Sequence, residues 1–195
     1  MLIMVALCSC GPTREETAKK FQDANRLYEA HDLEGARKLY GEILDSDYDH
    51  TPARIMIARI YYFNRNFEQA HKELENAIDR NPSSIDALFW LARVQSVMPE
   101  KKEEALRTLA NLLENDGGHI DALLLKASLH EEKKQTHEAI AAYRAVTERE
   151  ESIARAHARL GMIYGSVGLD SMRKISLTKA ALLAPGLIQK TSEAE

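Results

Sequence analysis

Cysteine is nearly missing from this chain: of 195 residues only Cys8 and Cys10 carry a thiol, both within the first ten. That excludes a disulfide framework, and with it a cysteine-ligated zinc site in the body of the protein. Glycine (9) and proline (5) are sparse and punctuate stretches of helical periodicity, as in an all-helical protein. No block of one charge is long enough to form a tail, and Lys+Arg 26 against Asp+Glu 30 leaves a net charge of -4. Nucleic acid needs a concentrated basic face, so it is not the expected partner. The seven histidines never take the HExxH spacing that sets two imidazoles on one helical face. A glycine-rich phosphate loop is absent, as is a serine or cysteine nucleophile in a recognisable frame. These absences point away from an enzyme and call for neither a metal nor a cofactor.

What is present is a repeat. Ala36, Ala70, Ala105 and Ala139 open similar segments, LEGARKLYGEIL, FEQAHKELENAI, KEEALRTLANLL and HEAIAAYRAVT, at intervals of 34, 35 and 34 residues. Apolar residues three and four apart define helical stripes within each unit, and two stripes facing each other make a hairpin. A fixed period of this length marks an array in which each unit buries its apolar face only against a neighbour. The second unit also has Ala58, Tyr61, Phe67, Leu74, Ala77, Ile78 and Pro82 in a small–aromatic–small–Pro order. The segments resemble the tetratricopeptide repeat (TPR), a helix–turn–helix family.

The resemblance implies an all-α, right-handed superhelical solenoid of about five hairpins over 17–187, with units at 17–50, 51–84, 85–119, 120–153 and 154–187. Residues 188–195 follow as a polar tail. Two departures stand out. The third unit carries its extra residue in the Pro99-Glu100-Lys101-Lys102 turn, and its second helix is expected to end in a left-handed cap at Gly117-Gly118. In the fifth unit Arg173 replaces the anchor alanine, while Gly161, Tyr164, Ala180 and Pro185 keep the register. Terminal repeats are often atypical because their outer face meets water, so the last helix reads as a partial cap that permits a homodimer.

The first residues, MLIMVALCSCG, resemble a bacterial lipobox. The resemblance implies a signal remnant at 1–9, cleavage after Ser9, lipidation (palmitate and related acyl chains) at Cys10, and a tether through residue 16. The apolar run is far too short to span a bilayer, and an anchor of more than one acyl chain holds a protein stably. No Lys or Arg precedes that run, so the natural start is expected upstream of Met1.

In the resembled family the first helix of each hairpin lines a concave groove that takes an extended peptide or a partner helix. Carried over, the candidate partner-binding residues are Asn25, Tyr28, Arg59, Tyr62, Phe63, Phe89, Trp90 and Arg93. Aromatics and arginine are enriched among interface hot spots. Arg59 and Arg93 stand 34 apart, at equivalent positions, where they could hold a carboxylate or backbone carbonyls. An aromatic at helical spacing also packs into a core, and for Phe63 and Trp90 both roles stay open. The carboxylate-clamp subclass of the family is not matched, because Phe21, Met56, Asp86 and Trp90 occupy its polar positions.

The expectation is a protein-interaction scaffold, lipid-anchored on the periplasmic side of a bacterial membrane, the outer membrane favoured. It would serve assembly of an envelope complex of the secretin or pilus kind. The alternatives are a soluble cytoplasmic scaffold, or a recruiting subunit of an envelope hydrolase or protease.

Overall fold

The computed structural model describes residues 12–184, and these are helical with short connections. Cys10, Pro185 and the tail at 188–195 lie outside the described residues. The helices are α1 (Arg14–Glu29), α2 (Leu33–Ser46), α3 (Thr51–Phe63), α4 (Phe67–Arg80), α5 (Ile85–Val97), α6 (Lys102–Asn115), α7 (Ile120–Glu132), α8 (Thr136–Ser166) and α9 (Asp170–Leu183). They group into two compact units, which meet in sequence between Asn115 and Asp116.

The unit that ends at Asn115 holds three hairpins, α1–α2, α3–α4 and α5–α6. Paired small residues close each one: Ala24 with Ala36, Ala58 with Ala70, and Ala92 with Ala105 are all fully buried. Between hairpins, Tyr40 and Ile43 of α2 share a core with Ile57 and Ile60 of α3. Leu74 and Ala77 of α4 do the same with Leu91 and Val94 of α5. Side chains close the open helix ends. Thr13 and Glu16 form a capping box, Ser84 accepts from the Ala87 amide, and the Nδ1 of His50 accepts from the Ala53 amide.

The turn inside each hairpin follows one rule. His31, Arg65, Lys134 and Gly168 occupy the same repeat position and all have positive φ, between 59° and 74°. Each lets the next amide reach back across the turn to a carbonyl in the last part of the helix, as Asn66 does to Tyr61 at 2.8 Å and Leu169 to Tyr164 at 2.8 Å. In the third repeat that position is Pro99. Its ring locks φ near about −65°, so the left-handed turn cannot form, and a 3-10 turn over Pro99–Lys101 replaces it. The extra residue of the 35-residue interval is the consequence. The left-handed cap expected at Gly117-Gly118 does not form; among the described residues Gly168 is the glycine with positive φ. A Cβ at Gly118 would meet the guanidinium of Arg149, the end of an exposed and flexible side chain that can swing aside.

In the unit that begins at Asp116, α7 packs along the first part of α8 and α9 along the rest. The expected repeat boundary at 153/154 falls inside α8, which is continuous for 31 residues. The residues explain the continuity. Where earlier repeats have a helix-ending Asn81-Pro82 and a capping Ser84, this one has Glu150-Glu151 and Ile153. Glutamate continues a helix, and isoleucine has no acceptor to cap a new one. Arg173 is accommodated at the missing anchor because its aliphatic stem runs over Gly165, and Gly161 leaves room for Leu177.

Candidate functional site

Helices α1, α3 and α5 are the first helices of their hairpins, and they bring most of the expected groove residues together. Tyr28 comes from α1, Arg59, Tyr62 and Phe63 from α3, and Phe89, Trp90 and Arg93 from α5. The helical period puts Arg59, Tyr62 and Phe63 on one face, and the 34-residue repeat sets Arg93 beside them on the next hairpin.

The two arginines stack on the same indole. The Cζ of Arg59 lies 4.8 Å from the Trp90 ring centroid and 5.1 Å from that of Tyr28. The Cζ of Arg93 lies 4.7 Å from Trp90, 5.6 Å from Tyr62 and 5.8 Å from Phe89. Edge contacts join the rings, with Tyr62–Trp90 at 5.8 Å, Phe63–Trp90 at 6.2 Å and Phe89–Trp90 at 6.4 Å. Each cation–π contact contributes about 0.5–2 kcal/mol depending on exposure. The stack therefore holds both guanidinium planes in place without using up their donors. The Nη1 of Arg59 reaches only the Met56 sulfur, a weak acceptor, at 3.2 Å. Its Nε is buried with no hydrogen-bond partner among the described residues.

Beside the stack is a cleft of about 320 Å³, bordered by Ile55, Met56, Arg59, Ser84, Asp86 and Trp90. Trp90 and Tyr62 also pack against the core of α4 and α5. Trp90 thus packs against the core and also carries the two arginines. Phe63, by contrast, is exposed.

Asn25 has a partner within the chain. Its Oδ1 accepts a 2.6 Å hydrogen bond from the buried Tyr40 hydroxyl, so it braces α1 against α2. Burial pushes the Tyr40 phenol up to about 12, although nearby Arg59 pulls the other way.

Two buried polar groups are not anticipated by the sequence pattern. Arg54 is buried, pairs with the Glu73 carboxylate at 2.8 Å and donates to the Tyr48 carbonyl at 2.8 Å. The Tyr48 ring lies between Arg54 and Arg80, with Cζ–centroid distances of 4.5 and 5.0 Å. Further along, the buried Gln95 touches His71 at 3.5 Å and accepts from Thr108 at 2.8 Å. A charged residue inside an apolar helix, as Arg54 is in TPARIMIARI, is the available signal. Both groups tie helix to helix within the unit.

Among the described residues, no group of three or more acidic, histidine or cysteine side chains is placed to hold a metal ion. Nor is any helix among them long and apolar enough to cross a membrane.

Comparison with known proteins identifies the repeat. Tetratricopeptide-repeat family models match residues 27–83 and 120–153. No curated protein matches the chain. Several solved structures share its fold. MamA is 19% identical with a TM-score of 0.63, covering 90% of this chain and 96% of its own. YrrB, described as a TPR protein with an unusual peptide-binding site, is 22% identical with a TM-score of 0.60, covering 90% of both chains. A thermophilic TPR protein from Thermus thermophilus, TTC0263, is 15% identical with a TM-score of 0.61, covering 91% of this chain and 96% of its own. The 34-residue period, the buried alanine pairs, the shared turn geometry and these matches agree, and the chain belongs to the tetratricopeptide-repeat family.

Proposed function

We propose that the protein is a scaffold that binds a protein partner, as an extended peptide or a helix, on the face built by α1, α3 and α5. The observation that carries this is the pair of arginines held on Trp90, with the buried Nε of Arg59 unpartnered among the described residues. A buried donor left unpaired costs about 1–3 kcal/mol. A ligand carbonyl or carboxylate recovers that cost on binding. A fixed guanidinium also loses little entropy when it pairs. That YrrB is described as having a peptide-binding site supports the same reading.

Trp90 is the one tryptophan of the chain, so its fluorescence reports occupancy of this face directly. Peptides tiled across a co-purified partner should change Trp90 emission saturably, and the change should disappear in Arg59→Ala/Arg93→Ala. Unchanged binding in that variant would move the site elsewhere.

The finer reading is a scaffold lipid-anchored through Cys10 on the periplasmic side of a bacterial envelope, serving assembly of a secretin- or pilus-like complex. Its support is the LCSC sequence. Palmitate labelling and membrane fractionation of wild type against Cys10→Ser test it. A wild type that is unlabelled and found in the cytoplasm would favour the soluble scaffold instead. A recruiting role for an envelope hydrolase or protease would also act through this face.

A further inference from the structure

The continuous helix α8 leaves uncovered two faces that the hairpins of the first unit bury. One belongs to the second helix of a repeat. Tyr143 occupies the repeat position of Leu74, yet it is 39% exposed where Leu74 is 0%. Ile140, at the position of buried His71, is exposed too. The other face belongs to the first helix of the next repeat. Ile163 is 57% exposed where its counterpart Ile60 is 1%, and Leu160 is exposed where Ile57 is buried. In the first unit these two faces meet: Leu74 packs with Val94, and His71 touches Gln95. In α8 they lie on one rod about 46 Å long at ~1.5 Å per residue, so they cannot meet within the chain.

We propose that a second copy of this chain covers them, by reciprocal exchange of the terminal hairpin. The end of α8 with α9 of one copy packs on α7 and the start of α8 of the other. The repeat defines the register. The His71–Gln95 contact maps onto Ile140 and Tyr164, so Ile140 of each copy faces Tyr164 of the other. The two α8 helices then run antiparallel about a twofold axis near Ser152, midway between those positions. This is an isologous interface, with the same surface used twice.

Charge supports a second copy as the occupant. Over 116–152 acidic residues outnumber basic ones eight to five, whereas over 153–184 Arg155, Arg159, Arg173, Lys174 and Lys179 oppose only Asp170. Antiparallel pairing sets each basic half against the partner's acidic half. Exchange through an opened connection is a low-cost route to a dimer, because the contacts are those a regular array already makes. The proposal does not depend on the groove.

The test uses the full chain with Cys8→Ser, Cys10→Ser, Ile140→Cys and Tyr164→Cys. On one straight helix the two new thiols are about 36 Å apart at ~1.5 Å per residue, beyond disulfide reach. Oxidation is expected to give a covalent dimer on a non-reducing gel. The Cys8→Ser/Cys10→Ser protein should run as a dimer by light scattering at micromolar concentration. A second variant, Glu150→Asn/Glu151→Pro/Ile153→Ser, restores the turn of the earlier repeats. It is expected to become a monomer with helical content by circular dichroism nearly unchanged, and its paired thiols should now close within one chain. An intrachain disulfide in the unaltered turn would show the hairpin folding back on itself and overturn the proposal. So would a monomer at every concentration, a dimer without the cross-link, or binding of the monomer to anionic vesicles through this face.

Discussion

Arg59 and Arg93 place their guanidinium carbons 4.8 and 4.7 Å from one ring, that of Trp90. One repeat period separates them in sequence, and the stacking of hairpins turns that period into a shared platform. The platform is positive and aromatic at once, and it presents both guanidinium planes from fixed positions.

Removing the platform's charges should weaken partner binding without unfolding the chain. Arg59→Ala and Arg93→Ala should each reduce affinity about tenfold, equivalent to ~1.4 kcal/mol, as read by Trp90 fluorescence. Arg→Lys should restore little, because an ammonium neither stacks nor pairs as the planar fork does.

The buried Tyr40 couples stability to alkaline pH. Its phenol is raised from 10.0 to about 12 by burial, so the folded state favours the neutral form. Below pH 10 the phenol is protonated in both folded and unfolded chains, and the contribution is complete. Between 10 and 12 the unfolded chain ionises first, and stability falls as pH rises, by about 2–3 kcal/mol over the window. Urea unfolding from about pH 9 to 12 should show a steeper decline for wild type than for Tyr40→Phe.

Glu73→Gln should leave the buried Arg54 without its carboxylate. The expected cost is about 2–3 kcal/mol, read as a lowered midpoint in urea, because an uncompensated buried charge costs more than the pair contributes. Arg54→Met should be milder than Glu73→Gln, since it removes the charge as well as the pairing.

The hairpin turns test backbone strain. Gly168 has φ +74°, and a Cβ there would meet nothing within 4 Å. Gly168→Ala should therefore cost about 1 kcal/mol through conformation alone. Lys134→Gly, at φ 59°, should be neutral or stabilising, opposite to the usual effect of glycine. Thermal melts of the two variants check both signs.

The repeat and its hairpins are readable because the buried alanines recur in phase, and a recurring position carries its meaning from one unit to the next. The cluster around Trp90 is readable for the same reason, since Arg59 and Arg93 are repeat equivalents. Features that occur once are not. Arg54 sits where other repeats have Lys20, Leu88, Leu123 and His157, so periodicity says nothing about it. Asn25 falls on the expected helix, but its hydrogen bond to Tyr40 depends on side-chain direction, which spacing does not encode. The continuous α8 is hidden because helical apolar spacing runs through it on both sides of the expected boundary. The signal is present in Glu150-Glu151 and Ile153, which lack the chemistry to stop or cap a helix. Pro99 works in the opposite direction: it marks the irregular turn, and the reason becomes plain only once its counterparts are seen at positive φ.

The platform around Trp90 is the proposed binding place of a protein partner. A photo-crosslinking amino acid placed at Phe63, exposed at the edge of the platform, tests it in cells. The same group at Lys72 on α4 serves as the control. The expected result is a discrete protein adduct from Phe63, lost in Arg59→Ala/Arg93→Ala, and none from Lys72. An adduct from Lys72 but not from Phe63, or one from Phe63 that survives loss of both arginines, would contradict it.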